Sequence, residues 1–326
     1  MTHHDAGLSP ALVETIAGLT AGSVATLVVH PLDIVKTRMQ IHRSHVASSQ
    51  TLTTISVIRG LTRTPHPVAA LYRGLTPNLL GNASSWASFF FFKARAEHAV
   101  RAIKGRSAGD RDREAPLTPG DYFVASAAAG AFTQVLTNPI WVLKTRMLSS
   151  DRGAAGAYPG MWAGAAQLLR TEGWRGFYRG LGISLFGVSH GAVQFAVYDP
   201  LKQMYVTRRR RAAGAIHRPG DRGKQGMTNE ATLIISSVSK LVAGAITYPY
   251  QVIRSRLQNY DADERFGRGI RGVVRRTWRE EGWRGFYRGI FPGVIRVMPA
   301  TWVTFLVYEN AKFYLSRWTI DPDADA

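Results

Sequence analysis

Apolar residues gather into six stretches of about 20 residues, roughly 12–35, 75–92, 122–143, 181–198, 231–253 and 290–308, separated by segments rich in arginine and lysine. At the rise of an α-helix each is long enough to cross a hydrocarbon core about 30 Å thick. The charges respect the same division. Of 41 lysines and arginines only Lys240 and Arg296 fall inside the stretches, as expected where lipid excludes charge. The pattern predicts an all-α membrane protein of six transmembrane helices, and an even number of crossings puts both termini on one side. Between these stretches, Trp162–Arg170 and Gly272–Trp278 have the amphipathic spacing of helices lying on a membrane surface or packed on a neighbour.

The six stretches form three pairs. Pro31-Leu32-Asp33-Ile34-Val35-Lys36-Thr37-Arg38 recurs as Pro139-Ile140-Trp141-Val142-Leu143-Lys144-Thr145-Arg146 and as Pro249-Tyr250-Gln251-Val252-Ile253-Arg254-Ser255-Arg256, with the prolines 108 and 110 residues apart. Each copy is followed by an aromatic-basic-glycine signature, Tyr72-Arg73-Gly74, Tyr178-Arg179-Gly180 and Tyr287-Arg288-Gly289. In the second and third copies the signature closes an identical nonamer, Glu-Gly-Trp-Arg-Gly-Phe-Tyr-Arg-Gly, starting at Glu172 and Glu281. The chain is therefore three tandem repeats, expected at 8–104, 118–206 and 228–318. Proline inside a helix removes a backbone bond and clashes with the preceding turn, so the odd-numbered helices should kink at these three places. Small residues four apart, Gly18 with Gly22 and Ser126 with Gly130, allow close helix approach; in the third repeat they become Ser236 and Lys240.

Composition narrows the chemistry. A formal charge of +19 favours anionic partners. The absence of cysteine excludes a thiolate zinc site and leaves the redox compartment unread. No nucleophile–base pairing, metal-ligand cluster or phosphate loop ending in Lys-Ser/Thr is present, so the expected activity is transport, not catalysis. A soluble nucleic-acid-binding repeat protein would not carry six nearly charge-free stretches, and the run Arg208–Arg211 reads as a solvated or headgroup-facing segment. The opening residues have neither a signal peptide nor an Arg-rich transit helix, so any organelle address is expected to be internal.

These motifs identify the chain as resembling the mitochondrial carriers, six-helix inner-membrane transporters of threefold pseudo-symmetry. Asn138-Pro139-Ile140-Trp141 is similar to the branch that handles nucleotides, dinucleotides, flavins and folates. Leu75–Asn78, Leu185–Phe195, Tyr248–Arg254 and Ile295–Val297 are similar to the mitochondrial folate and FAD carriers. The resemblance implies a monomer in the inner membrane, with both termini towards the intermembrane space and cardiolipin among its lipids. FAD is the expected transported substrate, with folate or tetrahydrofolate, then a pyrimidine nucleotide or NAD, as alternatives; no cofactor is expected. Two departures stand out. The first repeat has His66-Pro67 where the others have Glu-Gly, and two copies of the proline motif lack the acid.

The resemblance also implies two gates and a central site. The matrix gate would comprise Asp33, Lys36, Gln40, Trp141, Lys144, Gln251, Arg254 and Gln258. Only Asp33 with Lys144 could form an ion pair; Arg254 would face Trp141 in a cation–π contact of about 0.5–2 kcal/mol, Lys36 would face Gln251, and Gln40 and Gln258 would brace the ring. The opposing gate would use Asp199, Lys202, Glu309 and Lys312, with Asp199 and Lys312 as the expected pair. The first repeat, reading Phe92-Lys93-Ala94-Arg95-Ala96, lacks an acid there. A cation inside a span is expensive unless it faces water or a partner, so Arg296 and Lys240 are the expected substrate cations; hydrogen bonding to neighbouring carbonyls is the alternative for Lys240. Phe186, Gly187, Val188, His190 and Gln194 on the fourth span, Asn82, Ser85 and Trp86 on the second, and Trp302 on the sixth would complete a site for an anion bearing a flat heterocycle. A dicarboxylate carrier would instead be expected to place arginine where Gly187 and Val188 stand.

Overall fold

The computed structural model describes residues 10–42, 53–108, 117–151, 153–154, 156–212 and 228–317, and every assigned element among them is helical. Of the expected polar linkers 104–116 and 207–227, residues 109–116 and 213–227 lie outside the described residues, as does the chain start. The first repeat comprises α1 (Pro10–Ile41), α2 (Thr54–Thr62), α3 (Pro67–Leu71) and α4 (Leu75–Ala108). In the second, α5 (Pro119–Ser149) and α6 (Met161–Phe177) lead through α7 (Leu181–Leu185) and a 3₁₀ turn to α8 (Ser189–Ala212). The third runs through α9 (Asn229–Ile246), α10 (Tyr248–Gln258), α11 (Ala262–Phe266), α12 (Gly269–Gly285), α13 (Ile290–Ile295) and α14 (Val297–Arg317). Between repeats, α4 packs along α5, α8 along α9 and α14 along α1. These three interfaces close a ring, which is the all-α carrier architecture.

By length and composition, three described stretches qualify as spans, Val13–Ile41, Leu181–Arg209 and Ile290–Leu315, and the bent pair α9–α10 makes a fourth. α4 and α5, 34 and 31 residues long, are each over ~45 Å at 1.5 Å per residue. Their average apolarity is diluted by inward polar residues such as Asn78, Asn82, Thr137 and Asn138. Phe91, Phe123 and Phe132 on these helices are exposed, and Phe90 stacks on Trp86.

Local chemistry explains the breaks. Pro31 and Pro139 sit inside continuous helices, whereas at Pro249 the chain breaks at Thr247 and turns by 57° into α10. The division between α13 and α14 at Arg296 follows from Pro299, which supplies no hydrogen to the Ile295 carbonyl four residues back. In the repeated nonamer, Gly173 and Gly282 adopt φ of 64° and 63°, a conformation that suits glycine. These glycines bend α6 and α12, which contain the two expected surface helices. Where the first repeat has His66-Pro67, the bend is made by separating α2 from α3, with Pro67 opening the new helix.

A threefold set of hydrogen bonds ties the ends of the proline-bearing helices together. Nε of Arg38 donates to the Leu148 carbonyl (3.2 Å), that of Arg146 to Gln258 (3.1 Å) and that of Arg256 to Gln40 (3.0 Å). Each arginine thus satisfies a carbonyl near the end of the proline-bearing helix of the next repeat. The residue before each proline makes a second set. His30 Nε2 lies 3.0 Å from the Arg73 carbonyl, Asn138 Nδ2 donates to Phe177 (2.7 Å), and the Tyr248 hydroxyl donates to Arg288 (3.1 Å).

The arginines differ in their acids. Arg256 pairs with Glu281 at 2.8 Å, with the side chains only 1% and 4% exposed. Arg146 pairs with Glu172 at 2.5 Å. In the first repeat no such glutamate exists, and Arg38 reaches instead to Asp151, which is 56% exposed. Burial alone would raise the Glu172 carboxyl, but hydrogen bonds from Arg146 and the charge of Arg179 hold it below its ordinary range. The stability it contributes is therefore present above the ordinary glutamate value and lost as the pH falls through the lowered one. Removing Glu281 strands a buried guanidinium, so Glu281→Ala should destabilise by about 3–5 kcal/mol. Asp151→Ala should cost at most about 1 kcal/mol. Thermal unfolding of the detergent-solubilised variants checks the contrast; equal losses would contradict it.

Candidate functional site

The ring encloses a cavity of about 530 Å³, lined along α1 from Gly18 to Gln40 and floored by the residues that follow the three prolines. At the floor Asp33 is 6% exposed. It lies two residues past Pro31, within the continuous helix α1. One carboxylate oxygen accepts from Arg296 Nη1 at 2.7 Å. The other lies 3.7 Å from Lys144 Nζ and accepts from Asn78 Nδ2 at 3.3 Å. The same amide nitrogen lies 3.0 Å from His30 Nδ1. An amide nitrogen donates, so His30 Nδ1 accepts and the ring hydrogen sits on Nε2, where it bonds the Arg73 carbonyl.

All eight residues expected at the first gate are brought together. Lys36 Nζ donates to Gln251 Oε1 at 2.8 Å. The Arg254 guanidinium lies 5.8 Å from the Trp141 ring centroid and Lys144 Nζ lies 4.7 Å from it. Gln40 accepts from Ser255 (2.8 Å) and donates to the Tyr248 hydroxyl (3.1 Å), while Gln258 accepts from Thr145 (3.0 Å).

Arg296 departs from expectation. As an unshielded cation it was to be reserved for a solute, and Asp33 was to pair with Lys144 alone. Instead Arg296 is the nearer partner of Asp33. α1 packs against both α13 and α14, which sets the division at Arg296 beside the Asp33 turn, and the one buried acid of the floor draws in the nearest guanidinium. Arg296 remains on the cavity wall, 34% exposed.

The other expected contacts divide. Asn82, Trp86 and His190 line the cavity; Asn82 donates to Thr26 (3.1 Å), and His190 Nδ1 lies 2.9 Å from the Thr247 hydroxyl. Ser85 accepts from the Trp141 indole (3.3 Å). Phe186, Gly187, Val188, Gln194, Lys240 and Trp302 are not on the cavity wall. Val188 packs against α5, where a Cβ at Gly130 would come within 3.3 Å of it, and Gly187 lies against Tyr250. The 3₁₀ turn at Phe186–Val188 rotates this segment relative to an α-helix, so spacing along the sequence misassigns its inward face. Lys240 makes no hydrogen bond or ion pair among the described residues, with helix carbonyls or otherwise, and is exposed.

At the opposite ends of the helices the expected pair is not formed. Lys312 Nζ lies 2.6 Å from Glu14, both side chains being 47% exposed, and the Tyr308 hydroxyl bonds the same carboxylate. Asp199, Lys202 and Glu309 are exposed and make no ion pair among the described residues. α14 lies along α1, which brings Lys312 beside Glu14. The cavity is thus closed at the proline end by side chains of all three repeats, whereas at the other end Lys312 bonds Glu14 of the adjacent helix and the expected Asp199–Lys312 pair is not made.

Sequence reasoning missed His30, Asn78, Tyr250 and Glu14. The repeat register held a signal for the first: a polar side chain, His30, Asn138 or Tyr248, precedes each motif proline. Glu14, an acid inside the first apolar stretch, was equally visible. Nothing in the sequence marked Asn78 or Tyr250 as lining the floor.

The geometry ranks the floor contacts. Double-mutant cycles on thermal unfolding should give a larger coupling for Asp33 with Arg296 than for Asp33 with Lys144, because the first is a direct charge-assisted hydrogen bond and the second a longer contact. Asp33→Asn should destabilise more than Lys144→Gln, since it uncovers two cations; the reverse order would refute the ranking.

Comparison with known proteins agrees with this architecture. The family model for mitochondrial carrier protein matches three times, at 8–102, 115–209 and 226–318. The chain is 38% identical over 322 residues to a mitochondrial FAD carrier protein of Saccharomyces cerevisiae, covering 94% of this chain and 98% of the relative. It is 35% identical over 312 residues to a chloroplastic folate transporter of Arabidopsis thaliana (92% and 94% covered) and 29% identical over 309 residues to a chloroplastic nicotinamide adenine dinucleotide transporter of that plant (93% and 92%). Three family matches spanning the closed ring of helices make this chain a member of the mitochondrial carrier family, a transporter built from three repeats.

Proposed function

We propose that the chain carries FAD across the mitochondrial inner membrane by alternating access, as a monomer with both termini towards the intermembrane space and repeats at 8–104, 118–206 and 228–318. It acts as a carrier of solute and not as a catalyst. The observation that carries this reading is the cavity floor, where Lys36, Lys144, Arg254 and Arg296 share the wall with one carboxylate, that of Asp33, and with Trp141 and Tyr250. An excess of cations next to aromatic rings suits a diphosphate joined to flat heterocycles. The 38% identity to a yeast FAD carrier supports the same choice. Folate, with two carboxylates and a pteridine, is the second reading, supported by the relative described as a folate transporter; a pyrimidine nucleotide or NAD follows.

In this reading the solute enters past Glu14 and Lys312, and its rings settle near Trp86. An oxyanion competes with Asp33 for Arg296. Each contact that Arg296 makes with the solute weakens its hold on Asp33, so binding loosens the floor in proportion to the difference in affinity between the two states. Asp33, Lys36, Gln40, Trp141, Lys144, Gln251, Arg254 and Gln258 form the matrix gate. Asp199, Lys202, Glu309 and Lys312 meet only in the opposite state, once Lys312 leaves Glu14.

Purified protein in proteoliposomes should take up FAD in preference to folate, NAD, pyrimidine nucleotides and ATP. Arg296→Ala should lower FAD uptake ~10- to 100-fold, the range of one charged hydrogen bond, while the protein still reconstitutes. Preference for another member of the panel would discard FAD, and unchanged uptake by the variant would discard Arg296 as a contact.

A further inference from the structure

The third base of the proline motif stands in an unusual position. Arg254 lines the cavity, its Nη2 is buried without a hydrogen-bond partner, and no ion pair reaches it among the described residues. The other floor cations are each engaged: Arg296 and Lys144 on Asp33, Lys36 on Gln251. The place facing Arg254 is occupied by Trp141, whose indole is fixed by its bond to Ser85. An aromatic face offsets only part of the cost of removing a guanidinium from water and leaves its forked donors unused. Four cations to one carboxylate on the cavity wall leave the floor short of negative charge, and the shortage is greatest at Arg254.

We infer that Arg254 and Trp141 form a second anion subsite, below Arg296, that takes an oxyanion of the transported solute, phosphate or carboxylate, in the place of the missing gate acid. The inference rests on the carrier reading above and deepens it. The solute bridges the fifth and sixth spans through Arg254 and Arg296, with Trp141 of the third span against its ring or sugar. The unpaired floor cation is thereby neutralised only when cargo is present.

The test uses the purified full-length protein in detergent and measures affinity for FAD, folate, riboflavin and inorganic pyrophosphate. Arg254→Gln should weaken FAD and pyrophosphate binding ~10- to 100-fold and leave riboflavin, which has the ring but no phosphate, unchanged. Trp141→Glu, which restores an acid opposite Arg254, should abolish pyrophosphate binding, whereas Trp141→Leu should retain it, because pyrophosphate has no ring to stack. Should Arg254→Gln fail to unfold cooperatively, the Trp141 pair decides. Undiminished FAD and pyrophosphate affinity in Arg254→Gln, or equal pyrophosphate affinity in the two Trp141 variants, overturns the subsite. If the wild-type chain binds folate and not FAD, a matching loss of folate affinity in Arg254→Gln supports it. If the wild-type chain binds neither FAD nor folate, the FAD and folate readings fail separately, and the pyrophosphate comparison still decides the subsite; a wild-type chain that does not bind pyrophosphate overturns it.

Discussion

A single buried carboxylate governs the closed end of this molecule. Asp33 is shared between Arg296, Lys144 and Asn78, and two further cations line the same cavity without an acid of their own. In a poorly hydrated floor, charges of one sign repel strongly and an unpaired ion keeps a desolvation cost. The floor is therefore held by one strong centre and by weaker contacts, an amide for Lys36 and an indole face for Arg254.

The shape of the ring does not depend on those charges. It rests on hydrogen bonds that obey the threefold register: Arg38, Arg146 and Arg256 to the helix ends of the next repeat, and the residue before each proline to the signature that follows. These groups satisfy backbone carbonyls that helix ends and kinks would otherwise leave unpaired, which is costly where water is scarce. With closure of the backbone assigned to one set of residues and charge balance to another, Trp141 and Gln251 can replace acids without opening the ring.

The two ends of the cavity are in opposite conditions. At the proline end, side chains from all three repeats interlock. At the other, Lys312 is held by Glu14 on the adjacent helix and Asp199 stands apart. A local pair between neighbours needs no convergence of the helices, whereas a pair between α8 and α14 does. An Asp199–Lys312 pair therefore requires α14 to approach α8.

The sequence by itself determined the repeats, the helical character, the bend beside Pro249 and the eight gate residues that meet at the floor. Each of these follows from local chemistry, proline in a helix, apolar length and charge exclusion, or from register repeated three times. Tertiary structure alone decided which of them pair. Asp33 turns to Arg296 because α1 packs on α13 and α14. Val188 and Gly187 face α5 and Tyr250, not the cavity, because a 3₁₀ turn shifts their phase. Lys312 meets Glu14 because α14 lies along α1. Spacing specifies a helical face relative to its own axis; what that face meets depends on the rotation and tilt of the neighbouring helix, which no single segment encodes.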